Sequence, residues 1–184
     1  MIGNDIIDLS LAKTQSNWQR KGFLEKLFSN DEQQLILEAS NSFKMVWRLW
    51  SMKEAAYKIY TQHHEIRFFA PKKFECKLTQ GSKGAVSFKG QKFYTRTIVN
   101  QDCVFTTAVL ENKKSSYSDM VSPDQIDTMI KRKLNELTTL QISEIQQKKS
   151  KNGVPSYYYK TTLLTSSCSI THHGKFGAYS FLQA

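Results

Sequence analysis

The stretch RLWSMKEAAYKIY, Arg48 to Tyr60, sets Lys53, Glu54 and Lys58 into a run that is otherwise nearly all apolar. On a helical wheel, Lys44, Arg48, Ser51, Glu54 and Lys58 fall within roughly 120° of arc. Val46, Trp47, Leu49, Trp50, Met52, Ala56 and Tyr57 fill most of the remainder, with Ala55 alone inside the polar arc. The spacing predicts a helix from about Asn41 to Tyr60, buried on most sides and showing one polar stripe. Lys53 projects into the apolar side and must either snorkel or meet an anion. Taken alone, Glu54 and Lys58 read as an i,i+4 surface pair worth a few tenths of a kcal/mol. A narrow polar stripe on a mostly buried helix is also how a cleft wall looks. A carboxylate beside an ammonium is the equipment for a magnesium ion with its phosphate ligand.

A second carboxylate is needed, and GNDIID at the N-terminus supplies Asp5 and Asp8. The segment MIGNDIIDLSLA reads as a short strand through Ile2, Ile6, Ile7 and Leu9, on which residues three apart face opposite ways. Taken alone, Asp5 reads as a turn or cap residue after Gly3. NWQRKGFLEKLFSNDEQQLILEAS gives two helical pieces, with Ser29 and Glu32 at the spacing of a capping box. From Phe68 onward KFECKL, GAVSFKGQKFYTRTIV and CVFTTAVLE predict an antiparallel meander. NKKSSYSD reads as a linker. A helix over 123–140 opens with Ser122 as N-cap and Pro123 at its first position; Ile126, Met129, Ile130, Leu134, Leu137 and Leu140 recur along one face. KKSKNGVPSYYYK reads as a basic turn leading into a strand, with at least one tyrosine of Tyr157–Tyr159 in the core. SCSITHHGKFGAYSFLQA closes the chain as a hairpin. The class is therefore α+β, an antiparallel sheet with packed helices.

The 184 residues are 40% hydrophobic and 23% charged, a composition of globular rather than disordered chains. No uncharged apolar run approaches the ~20 residues that span a bilayer. The N-terminus lacks the basic flank and apolar core of a signal peptide, so a cytoplasmic protein without a membrane partner is expected. Cys76, Cys103 and Cys168 have no CxxC spacing and read as reduced thiols. The pairs His63–His64 and His172–His173 lack the matching cysteines of a zinc site. The net charge of +10 should attract polyanions. Nucleic acid, an anionic membrane, a phosphorylated cofactor and an acidic protein all fit, and charge alone does not choose.

GNDIIDL, FLEKLFSNDEQ, WSMKEAAYK and CSITHHGKFGAYSF together resemble the 4'-phosphopantetheinyl transferase superfamily. The pattern is a Gly-x-Asp strand, a Phe-Ser/Thr-x-x-Glu helix start, a Trp-x-x-Lys-Glu-Ala-x-x-Lys helix and a Ser-x-Ser/Thr-His strand. The resemblance implies transfer of the phosphopantetheine arm of coenzyme A to a serine of an acidic acyl or peptidyl carrier protein, with Mg²⁺. It implies Asp5 and Glu54 as metal ligands and Lys58 as the lysine that steadies the pyrophosphate. It implies His172, with Thr171 in the place of the usual serine, as a contact to a coenzyme A phosphate. Asp8 takes the place of an acid of less certain role, and His173 lies one residue past the motif. Where Gly-Lys-Pro is usual this chain has Gly153-Val154-Pro155, and Lys151 is the candidate to compensate.

Gly-x-Asp comes first, yet the long helix precedes NGVP and only a short stretch separates NGVP from SITHH. That order resembles a two-half architecture in swapped order, with a catalytic half at 1–112 and a smaller half at 122–184. A self-contained monomer is then expected rather than a trimer. The rival readings are a non-catalytic coenzyme A or carrier-binding module of the same fold, and a basic nucleic-acid-binding domain.

Overall fold

The computed structural model describes residues 1–64, 67–110 and 116–184. β1 (Ile2–Asp8) runs into a short helix α1 (Leu9–Gln15), followed by α2 (Phe23–Leu27), α3 (Asn30–Glu38) and the long α4 (Ser42–His64). The meander β2 (Glu75–Leu78), β3 (Lys83–Phe88), β4 (Gln91–Val99) and β5 (Cys103–Val109) then joins β1 in a five-stranded antiparallel sheet of order β1-β5-β4-β3-β2. Next come β6 (Ser116–Val121), α5 (Ile126–Thr138), β7 (Ile145–Lys149), β8 (Pro155–Tyr159), β9 (Thr162–Leu163), β10 (Thr165–His173) and β11 (Phe176–Gln183). These strands form two smaller antiparallel sheets, β10-β11-β6 and β7-β8-β9.

α4 lies across the large sheet because its apolar side has the sheet's inward residues to meet. Leu49, Met52, Ala55, Ala56 and Ile59 share a buried core with Val86, Phe88, Phe93, Val104 and Ala108. On α5, Ile126, Ile130 and Leu134 seal a second core with Tyr157, Cys168, Tyr179 and Phe181. Ile6, Phe105 and Ala178 pack between these two cores. The three cysteines are free thiols.

The seam between the sheets positions the site. β1 is an edge strand, and its outward amides have no strand partner. They are met instead by alternate side chains of β10: Ile2 N–H donates to Ser167 Oγ at 3.0 Å, Asn4 N–H to Ser169 Oγ at 3.1 Å, and Asp8 N–H to His173 Nδ1 at 2.9 Å. The period of two along Ser167, Ser169, Thr171 and His173 turns every one of them toward β1. This row both satisfies the edge and removes it as a site of aberrant pairing.

Local departures from the sequence expectations have local causes. The expected strand through Leu9 stops at Asp8, whose side chain accepts from the amides of Ser10 and Leu11 and so caps α1. Ser116 to Asp119, expected in the linker, belong to β6 paired with β11, whereas Asn112 to Ser115 lie outside the described residues. The helix expected over 123–140 opens as a 3₁₀ turn over Pro123–Gln125, and Ser122 makes no side-chain cap bond. α4 continues past Tyr60 to His64. The expected capping box is present: Ser29 Oγ accepts from Glu32 N–H while Glu32 accepts from Ser29 N–H.

Candidate functional site

The site is built on a close crossing of β1 and α4. A Cβ at Gly3 would overlap the carbonyl oxygen of Ala55, so only glycine lets the strand lie this near the helix. Two residues further along the same face of β1 comes Asp5, and the neighbour of Ala55 on α4 is Glu54. Lys58, one turn beyond Glu54, donates to the carbonyl of Asn4 at 2.7 Å and stands 3.7 Å from Asp5 Oδ1. Thr171 Oγ1 reaches the same oxygen at 3.5 Å. Asp5, Glu54, Lys58 and Thr171 are thus brought together. Asp8 faces away, holding the amides of Ser10, Leu11 and Lys175.

The stripe on α4 is narrower than its wheel suggests. Ser51 is fully buried and donates to the carbonyl of Asp5 at 3.4 Å, because β1 covers that face. Lys53 meets an anion, the carboxylate of Glu32, and is as buried as its partner. Its neighbour Glu54 instead lines a cavity of about 330 Å³ together with Tyr57, Lys58 and Gln62 on one side and Gly153 to Pro155 on the other.

Burial and the nearby Asp5 carboxylate push the Glu54 carboxyl up to about 7, against the opposing pull of Lys58. Burial likewise raises Asp5, with Lys58 opposing. Asp5 Oδ2 is buried with no hydrogen-bond partner. Two carboxylates that repel each other, one with an unpaired buried oxygen, fit a divalent cation. Among the described residues no group of three or more His, Cys, Asp or Glu side chains is placed to hold a metal. The pair would leave the remaining coordination positions to ligand oxygens and water, as Mg²⁺ prefers.

His172 is exposed and lines a smaller cavity of about 190 Å³ with Asp5, Trp47, Trp50 and His173. His173, which the motif leaves aside, is the residue bonded to β1, and its Nε2 lies 3.1 Å from Gln15 Oε1. Lys151 is exposed in the β7–β8 turn, just ahead of the residues that line the larger cavity. Sequence reasoning missed Arg67, which lines that cavity and donates to the carbonyl of Asn152 at 2.7 Å. It also missed the Ser167-Ser169 row, although alternating hydroxyls in TSSCSITHH were a legible signal.

A family model described as the 4'-phosphopantetheinyl transferase superfamily matches residues 1–108, the segment that holds Asp5, Glu54 and Lys58. The chain belongs to that superfamily. Thr171 and His172 lie beyond the matched residues. Among solved structures, this superfamily member is similar to the holo-[acyl-carrier-protein] synthase of Thermotoga maritima at 12% identity, with 84% of this chain and 80% of that chain covered and a TM-score of 0.47. It is also similar to the holo-[acyl-carrier-protein] synthase of Helicobacter pylori in complex with coenzyme A, at 15% identity, with 60% of this chain and 100% of that chain covered and a TM-score of 0.45. No curated protein matches significantly. No helix among the described residues is long and apolar enough to cross a membrane.

Proposed function

We propose that this protein transfers 4'-phosphopantetheine from coenzyme A to a serine of an acidic acyl or peptidyl carrier protein, with Mg²⁺ on Asp5 and Glu54. The observation that carries the reading is the convergence of Asp5, Glu54 and Lys58 beside a cavity, with Asp5 Oδ2 buried and unpartnered. When bound, the cation would supply charge neutralisation for the diphosphate as the P–O bond breaks.

The chain's own residues do the rest. Lys58, fixed by the Asn4 carbonyl, holds a phosphoryl oxygen. Thr171 orients Asp5, and His172 contacts coenzyme A from the smaller cavity. Lys151 adds positive charge beside the Gly153–Pro155 turn. Glu54 accepts the proton of the carrier serine, whose oxygen bonds to phosphorus as 3',5'-ADP departs. No covalent enzyme intermediate is required, so positioning and electrostatics carry the acceleration.

We assign the residues to a catalytic half at 1–112 and a smaller half at 122–184, joined along β1 and β10, and acting as a monomer in the cytoplasm. The experiment is incubation with coenzyme A, Mg²⁺ and a panel of apo carrier proteins, read by intact mass. A gain of one phosphopantetheine supports transfer. No gain on any carrier, with coenzyme A still bound, would favour a binding module.

A further inference from the structure

The cavity that holds Glu54 and Lys58 follows α4 as far as Gln62, about 12 Å of helix at ~1.5 Å per residue. The same cavity is lined by Arg67, from the segment after α4, which reaches across to the turn between β7 and β8. One guanidinium N–H donates to the Asn152 carbonyl at 2.7 Å, which fixes the fork and leaves its remaining donors free for a ligand. Among the described residues no carboxylate pairs with Arg67. Gly153, next in the turn, has φ +79°, a left-handed conformation that favours glycine. Val154 brings no cation to the cavity, Lys151 stands exposed just ahead of the lining residues, and His172 lines the other cavity. A cleft that carries the Glu54 carboxylate, the Lys58 ammonium and, from a separate segment, the Arg67 guanidinium fits a ligand anionic at more than one point.

We infer that Arg67 binds the 3'-phosphate of the coenzyme A donor, anchoring the nucleotide end while Asp5, Glu54 and Lys58 act on the diphosphate. The inference rests on the transferase reading above. A planar guanidinium pre-oriented by a carbonyl pairs with phosphate through two N–H groups, which a lysine at the same place does not reproduce.

The test compares the wild type, Arg67→Ala, Arg67→Lys and His172→Ala by calorimetric titration with coenzyme A and with 3'-dephospho-coenzyme A, alongside transfer kinetics. Arg67→Ala should weaken coenzyme A binding about tenfold, equivalent to about 1.4 kcal/mol, with the loss falling in KM rather than kcat. Binding of the dephospho compound should not change, and Arg67→Lys should recover part of the loss. Equal weakening of both ligands would make Arg67 a structural strap and overturn the inference. So would loss of discrimination between the ligands in His172→Ala but not in Arg67→Ala. A wild type that transfers normally and is indifferent to Arg67 sinks this inference alone. A wild type that binds neither ligand removes the transferase reading with it.

Discussion

The ammonium of Lys53 lies 2.8 Å from each carboxylate oxygen of Glu32, and both side chains are excluded from solvent. Lys53 also donates to the carbonyls of Pro71 and Phe74, while Glu32 accepts from the amides of Ser29 and Cys76. One ion pair therefore ties α3, α4 and the start of β2 around the helix that carries Glu54. Removing one partner strands the other charge in the interior. Lys53→Met should cost about 3–5 kcal/mol by urea unfolding, and the double variant with Glu32→Leu should recover much of it. A single variant as stable as wild type would contradict the closed network.

Gly3→Ala tests the crossing of β1 and α4. The added methyl has no room against Ala55, so β1 must move and carry Asp5 with it. Overpacking of this kind costs about 1–3 kcal/mol, and we expect transfer activity to fall further than stability accounts for. Full activity with a lowered melting temperature would show that the spacing of Asp5 and Glu54 is not critical.

Glu54→Ala should abolish transfer, by at least about 100-fold if Glu54 takes the serine proton, and leave the circular dichroism spectrum unchanged. Asp8→Ala should instead lose about 1 kcal/mol of stability, since Asp8 caps α1, and keep the metal requirement of the wild type. Activity surviving in Glu54→Ala would remove the metal and base assignment together.

The carboxyl of Glu54 gives the metal-free protein a pH signature. Its folded value of about 7 lies above the ordinary 4.5, so the folded state binds this proton more tightly than the unfolded chain. That stabilisation is complete below about 4.5 and is lost as pH rises through 7. In chelator, melting temperature should fall across this window, and Glu54→Gln should flatten the slope. Added Mg²⁺ should raise the melting temperature most at the alkaline end, where both carboxylates are ionised. A wild-type slope unchanged by Glu54→Gln would assign the titration elsewhere.

Sequence alone determined the parts whose causes are local. The period of 3.6 residues fixed α4 and the apolar face of α5, β-rich runs broken by turn residues fixed β2 to β5, and Ser29 with Glu32 fixed the start of α3. The run from Trp50 to Lys58, with Gly3-x-Asp5, also named the three polar residues that the fold brings together. Tertiary structure alone decided who meets whom across long separations: that Lys53 is spent on Glu32, that β1 buries Ser51, and that His173 rather than His172 bonds the strand edge. It also decided that Arg67 reaches Asn152. Periodicity records which side of an element is buried, because burial repeats with backbone geometry. The identity of the opposing group depends on how separate elements pack, and no local repeat encodes that.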